Sequence, residues 1–188
     1  MTAVRSGIVV IALGLGLAGL LASDAVTVGQ QPSGASQPTR AQWNEVKWPF
    51  PLDQWGLGRA FRCPAADCGT DIALYVRAKL GFCNCATGVS DDMELDRVGD
   101  LELLSDKFKG LRDGRPITVG WMNGRSRPYE VAMPYAAPRK ALAIGFNDKC
   151  DVVVATVVAD DVPAAERAAL AFLNGDVVRR WVEKELGL

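Results

Sequence analysis

The most regular pattern of apolar and polar positions lies in residues 72–82. Every second residue there is apolar, whereas the residues between them include Arg77 and Lys79. Because successive side chains of a β-strand point to opposite faces, this period of two predicts a strand with one buried face and one mostly exposed face. A shorter strand-like run at residues 59–63 precedes it across a turn that contains proline and glycine. The two runs together predict a β-hairpin.

Four further strands are predicted in the second half of the chain. Residues 117–121 and 129–133 form one pair, and the Asn-Gly dipeptide at 123–124 between them is a strong hairpin signal. Residues 142–146 and 150–158 form a second pair around a polar turn. The last run is almost continuously apolar, which is typical of a central strand that is covered on both faces.

Two stretches near the C-terminus have apolar residues at helical spacing. The first follows Pro163 and the second follows Asp176, with Asn174 and Gly175 between them as a helix stop. The apolar stripe of the second helix consists of Val177, Val178, Trp181, Val182 and Leu186. We therefore predict an α+β fold, in which an antiparallel sheet of about five or six strands has the two C-terminal helices packed on one face.

The N-terminal part of the chain predicts export. Residues 1–25 combine Arg5, an apolar stretch and small residues where a signal peptidase requires them, so they predict a signal peptide, or an N-terminal membrane anchor if they are not cleaved. Residues 26–40 are polar and rich in glutamine, serine and proline, which is typical of a flexible linker. Residues 41–188 are then a single globular domain. The predicted location is the periplasm of a bacterium, with attachment to the inner membrane in the uncleaved form.

Composition narrows the classes of function. The net charge is −1, so no basic field favours binding to nucleic acid. The chain has no histidine, which removes His-ligated zinc, His-ligated haem and every catalytic triad that uses imidazole. The acidic pairs at 91–92 and 160–161 are adjacent in sequence, so their side chains point apart and make no general acid/base pair. We predict no catalytic residue and no cofactor.

The chain has five cysteines, which are Cys63, Cys68, Cys83, Cys85 and Cys150. In an exported protein cysteines form disulfides by default, and an odd number leaves one of them unpaired. Cys63 and Cys68 flank a short turn, so we predict that they pair with each other. Cys150 has no local partner, so we predict a bridge from Cys150 to either Cys83 or Cys85. The remaining cysteine of that pair is then a free thiol.

The pair Cys83-x-Cys85 also carries an alternative hypothesis. Two thiols two residues apart in an extended chain share one face, and soft thiolates select copper(I). The pair therefore also fits a thiol/disulfide or copper(I) site, with the metal left open. The cysteine spacing matches no zinc ribbon, iron–sulfur cluster or thioredoxin motif.

Two groups of residues are candidates for a partner surface. Trp43, Trp48 and Trp55 lie in a short segment that contains prolines, where they either form a platform for a peptide or glycan or fill gaps under the core. Arg125 and Arg127 lie just beyond the predicted hairpin tip, where they either meet an anionic partner or lipid or are simply solvated.

Together these features predict an exported, non-catalytic accessory or binding protein of the bacterial cell envelope, stabilised by disulfides. Its expected partner is another envelope or membrane protein, and the N-terminal segment can contact the membrane. The alternative is a thiol/disulfide or copper(I)-handling protein that uses Cys83 and Cys85.

Overall fold

An eight-stranded antiparallel sheet forms the centre of the computed structural model, which describes residues 41–188. The predicted signal peptide or anchor and the predicted linker lie outside the described residues. The strands are β1 Asn44–Val46, β2 Arg59–Cys63, β3 Ile72–Lys79, β4 Phe108–Gly110, β5 Arg115–Val119, β6 Met122–Val131, β7 Arg139–Asp148 and β8 Asp151–Val158. The helices are α1 Ala65–Cys68, α2 Asp92–Val98, α3 Val162–Leu173 and α4 Asp176–Leu186, and a 3₁₀ turn spans Leu101–Leu103. The predicted α+β class is confirmed. No helix within the described residues is long and apolar enough to span a membrane.

The strand order is β1-β2-β3-β8-β7-β6-β4, and β5 also pairs with β6. β8 lies between β3 and β7, which confirms that the apolar run near the C-terminus is a central strand. The sheet is larger than the five or six strands predicted, because β1 and β4 add three residues each at its two edges. Runs of three residues are too short to show an alternating pattern, so the sequence gives no signal for them.

The turn between β5 and β6 is not at the Asn-Gly pair that predicted it. Val119 pairs with Met122, so the turn residues are Gly120 and Trp121, and Gly120 has the positive φ of 59° that two-residue hairpin turns require. Gly124 lies inside β6 instead. A Cβ atom there would come within 2.1 Å of the carbonyl oxygen of β7 residue 145, so glycine is needed for close pairing of the strands.

Helices α3 and α4 cover one face of the sheet and bury the larger apolar cluster. This cluster includes Phe61, Leu74, Val76, Ile144, Phe146, Val153, Ala165, Ala169, Leu173, Val178 and Val182. The prediction that both C-terminal helices pack on one face is confirmed.

Two irregular segments cover the opposite face. One is residues 48–57, and the other is residues 82–104, which contain α2 and the 3₁₀ turn and which we call the cap segment. Apolar side chains of the cap segment pack on β6, β7 and β8, while Trp48 and Phe50 pack on β2 and β3. Consequently both faces of β3 are buried. The prediction that its second face is mostly exposed is wrong.

Fewer residues of the apolar stripe of α4 are buried against the sheet than the sequence pattern predicts. Val178 and Val182, four residues apart, are fully buried, whereas Val177 is 63% exposed. Trp181 is partly buried, with the Arg59 guanidinium 5.9 Å from its ring. Because consecutive helical residues are about 100° apart around the axis, only one of the two adjacent valines can face the sheet.

The different exposure of Val182 and Val177 predicts that the same substitution changes stability to different extents at the two positions. Val182→Ala should lower the free energy of unfolding by about 2 kcal/mol, because two buried methyl groups are lost and a cavity remains. Val177→Ala makes the same chemical change at an exposed position and should change it by less than about 0.5 kcal/mol. Urea unfolding of the disulfide-intact protein, followed by circular dichroism, measures both values. Equal losses in the two variants would contradict the observed side of α4.

Candidate functional site

A buried ion cluster lies where β3 meets the cap segment. The Arg77 guanidinium donates to both carboxylate oxygens of Asp100 at 2.6 and 2.7 Å and to those of Asp53 at 2.8 and 2.7 Å. Lys79 Nζ lies 2.7 Å from Asp100 Oδ1 and donates to the carbonyl oxygens of Val98 at 2.7 Å and Gly99 at 3.2 Å. The side chains of Arg77, Lys79 and Asp100 are 4–6% exposed. The cluster thus pairs two buried cations with the buried carboxylate of Asp100 and with the carboxylate of Asp53, which is 37% exposed.

The balance of forces keeps Arg77 and Asp53 charged. Burial lowers the pKa of Arg77, but the hydrogen bonds and charges of Asp100 and Asp53 outweigh that effect and leave the pKa raised. Burial raises the pKa of Asp53, but the hydrogen bonds from Arg77 and the Trp55 amide and the charges of Arg77 and Lys79 together outweigh it and leave this pKa lowered. Arg77 and Asp53 therefore form a fixed ion pair rather than a proton donor or acceptor near neutral pH.

An open cleft of about 540 Å³ lies above the ion cluster. Its aromatic wall is formed by Trp55 and Phe82, whose ring centroids are 4.4 Å apart. Lys79 Nζ lies 5.6 Å from the first ring and 5.3 Å from the second, and the Arg97 guanidinium lies 4.9 Å from Phe82. Glu102 is an exposed residue of the lining. The cleft therefore offers apolar rings beside charges of both signs.

Next to this wall, the cap segment carries the two cysteines of the Cys-x-Cys pair. Cys85 is bridged to Cys150 at the β7–β8 turn, and Cys83 is a buried free thiol. The second bridge joins Cys63 at the end of β2 to Cys68 in α1. Both bridges agree with the pairing expected from the sequence, and the structure selects Cys85 as the partner of Cys150.

Backbone and side-chain hydrogen bonds hold the loop after Phe82 against the β7–β8 turn. The amide of Cys83 donates to the carbonyl oxygen of Cys150 at 3.0 Å, and its thiol donates to the carbonyl oxygen of Lys149 at 3.3 Å. Further along, the amide of Val89 donates to Asn147 Oδ1 at 3.0 Å. The disulfide thus joins two segments that these hydrogen bonds also connect.

The Cys83 thiol is protonated at neutral pH. Burial raises its pKa to about 11, the charges of Glu94 and Asp151 act in the same direction, and Arg97 opposes them. Because the thiolate is the form that binds metal or attacks disulfides, Cys83 is poorly reactive in this arrangement. Cys85 is in a disulfide with Cys150, so Cys83 and Cys85 do not provide two free thiols at one site.

The three tryptophans considered for a partner surface lie in different surroundings. Trp43 stacks on Phe172 of α3 with ring centroids 4.5 Å apart. Trp48 packs edge-on against Tyr75, 6.1 Å away. Only Trp55 lines the cleft. The first two fill gaps over the sheet, so the three indoles do not form one platform.

Arg125 and Arg127 lie within β6 rather than beside a hairpin tip. Arg125 pairs with Asp92 of α2, and Arg127 Nη1 lies 2.9 Å from Asp96 Oδ2 one helical turn later. The Tyr129 hydroxyl also donates to Asp96. These contacts hold α2 against the sheet and account for two of its acidic residues, Asp92 and Asp96.

Sequence reasoning missed the ion cluster and the cleft. In the sequence, Arg77 and Lys79 are only the polar members of an alternating strand. Their acidic partners lie more than twenty residues away, in segments without a clear strand or helix pattern. The available signal was the pair of basic residues on one strand face together with the acidic run 91–100, since buried charges need opposite charges.

Within residues 41–188 no group of three or more cysteine or acidic side chains is placed to hold a metal ion. The chain matches no family model, and a comparison with curated proteins finds no relative of significant similarity.

The pairing of Asp92 makes part of the stability depend on pH. Burial raises the pKa of this carboxyl group, but hydrogen bonds from Arg125 and the Gly114 amide and the charge of Arg127 hold it below its ordinary value of 3.8. A carboxyl group with a lowered pKa in the folded state contributes stability above its unfolded pKa, and this is lost as the pH falls through the folded pKa.

Asp92→Asn should therefore lower the free energy of unfolding near neutral pH by about 1–3 kcal/mol, the usual range for a hydrogen-bonded charge. It should also reduce the decline in stability from about pH 5 to about pH 3, because one of the groups that must be protonated is gone. Urea unfolding across this range measures both effects. Asp113→Asn in the exposed loop before β5 is the control, and a decline equally steep in Asp92→Asn and the wild type would contradict the assignment.

Proposed function

We propose that the protein is an exported, non-catalytic binding protein of the bacterial cell envelope. In this proposal the cleft beside Trp55 and Phe82 receives a segment of another envelope or membrane protein. Residues 1–25 act as a signal peptide that delivers the domain to the periplasm, or as an anchor that keeps it at the inner membrane.

The cleft is the observation that carries the binding role. Its aromatic wall and Arg97 are residue types that dominate binding energy at protein interfaces. The ion cluster beneath fixes the floor before a partner arrives, and a preformed site avoids the entropic cost of ordering it on binding.

Three exposed leucines lie close in sequence to the aromatic residues of the cleft. Leu52 and Leu57 flank Trp55 in sequence and are 71% and 64% exposed, and Leu80 before Phe82 is 58% exposed.

The export step is supported by the two disulfides. Bridges of this kind form and persist in oxidising compartments, and the apolar N-terminal stretch supplies a route to one.

The second candidate is a thiol/disulfide or copper(I)-handling protein that uses Cys83 and Cys85. Its support is the free thiol two residues from a bridged cysteine. It requires the Cys85–Cys150 bridge to be open in the working protein. Alkylation of the native exported protein separates the candidates, because two reactive thiols favour the second and none or one favours the first.

In-cell photo-crosslinking tests the binding role. A photoreactive amino acid placed at Gln54, an exposed residue of the cleft, should give a discrete adduct in the envelope fraction. Adding Trp55→Ala and Phe82→Ala should reduce that adduct at least tenfold, since hot-spot side chains contribute about 2 kcal/mol or more each.

Two controls make this result specific. Trp121→Ala removes a half-exposed indole at the β5–β6 turn and should leave the adduct unchanged. A crosslinker at Thr118, exposed on β5, should not give the same adduct. An adduct that survives loss of the aromatic wall would contradict the cleft as the site, and retention of the protein in the cytoplasm would contradict export.

A further inference from the structure

Three cysteines meet at the β7–β8 turn, although only two of them are bridged. Cys85 and Cys150 form the disulfide, and Cys85 belongs to an exposed stretch of the cap segment. Cys83 is buried beside them, with its amide 3.0 Å from the carbonyl oxygen of Cys150. The backbone of Cys83 therefore lies alongside that of Cys150.

This hydrogen bond limits how far Cys83 is from Cys150. Adding the covalent distances from the amide nitrogen and from the carbonyl oxygen to their Cα atoms places the two Cα atoms no more than roughly 7 Å apart. Disulfides span Cα separations of up to roughly 7 Å. The backbone positions of Cys83 and Cys150 are therefore compatible with a bridge of their own.

We propose that Cys83 is an internal exchange thiol, which can replace Cys85 in the bridge to Cys150 and thereby release Cys85 as an exposed thiol that reacts with an external disulfide. This proposal does not depend on the cleft or on the binding role, and it assigns a reaction to the one cysteine that the bridges leave over.

The exchange needs no oxidant or reductant. The thiolate of Cys83 attacks Sγ of Cys150, the Cys83–Cys150 bond forms, the Cys85–Cys150 bond breaks, and Cys85 leaves as a thiolate. The number of disulfides and of thiols stays the same. In a second step the Cys85 thiolate attacks one sulfur of an external disulfide, a mixed disulfide forms, and the other external sulfur leaves as a thiolate.

Chain entropy does not distinguish the two internal bridges. The existing bridge has a sequence separation of 65, and a bridge from Cys83 would span only two residues more. What differs is exposure, because the exchange leaves the more accessible cysteine as the thiol. The released Cys85 would therefore react faster with a partner than Cys83 does.

The surroundings of Cys83 set the rate of the first step. Burial and the carboxylates of Glu94 from α2 and Asp151 from β8 raise its pKa to about 11, while Arg97 from α2 opposes them. Only a small fraction is thiolate at neutral pH, so exchange is slow there. Its rate should rise about tenfold per pH unit below the pKa, in proportion to the thiolate fraction.

Oxidised glutathione is a suitable external disulfide for the test. The mature wild-type protein is incubated with it at a series of mildly alkaline pH values, quenched with acid and mapped by tandem mass spectrometry without reduction. We expect the glutathione adduct on Cys85, a new Cys83–Cys150 bridge, and a rate that increases about tenfold per pH unit. An adduct on Cys83 with the Cys85–Cys150 bridge intact would overturn the proposal, and so would no adduct on either cysteine.

Two variants separate the exchange from direct attack on the bridge. Cys83→Ser removes the internal thiol and should form no adduct on Cys85 under the same conditions. Cys85→Ser should form the Cys83–Cys150 bridge when glutathione disulfide oxidises the two remaining thiols, with two glutathione thiols released. If Cys85→Ser folds, as judged by circular dichroism, and keeps both thiols, the bridge geometry is excluded and the proposal fails.

Discussion

The buried pair between Arg77 and Asp100 is the interaction on which the rest of this structure depends. β3 lies inside the sheet, and its apolar row is covered by α3 and α4. Its other face presents Arg77 and Lys79, whose charges would each cost several kcal/mol to bury alone. Asp100 and the carbonyl oxygens just before it meet this requirement, so the cap segment must lie on the sheet for the sheet to be stable.

The same cap segment builds the candidate site, which is why structure and function are coupled here. It carries Phe82 and Arg97 of the cleft, and it also carries Cys83 and Cys85. Three sets of contacts hold the cap segment on the rest of the domain. They are the ion cluster, the arginine–aspartate pairs between β6 and α2, and the disulfide to the β7–β8 turn. A segment fixed at three points has little conformational freedom left to lose on binding.

The sequence was sufficient for the parts of the fold that have local signals. Alternation in β3, the continuous apolar run of β8 and the helical stripes of α3 and α4 identify those elements, and a short turn identifies the Cys63–Cys68 bridge. The Asn-Gly pair at 123–124 predicted the hairpin turn at the wrong residues, because Gly124 is required for close strand pairing rather than for a turn.

The candidate site depends on contacts that have no local signal. The alternating pattern of β3 is the same whether its polar face is exposed or is covered by an irregular segment from elsewhere in the chain. The burial of Arg77 and Lys79 therefore could not be predicted from β3 alone. The choice of Cys85 over Cys83 also could not be predicted from spacing. Their separations from Cys150 along the chain differ by only two residues, so the path of the cap segment decides which one pairs.

The most direct test of this account is the free energy of unfolding of Asp100→Asn, measured with amide hydrogen exchange across α2. Glu45→Gln is the matched control, because the Glu45 side chain is 50% exposed in its ion pair with Arg59, and this variant should cost less than about 1 kcal/mol. The account predicts a loss of about 3–5 kcal/mol for Asp100→Asn, because Arg77 and Lys79 lose a buried counter-charge, together with faster exchange of the α2 amides. A loss below about 1 kcal/mol with unchanged protection of α2 would show that the cap segment is held by other contacts and would contradict the central role of this pair.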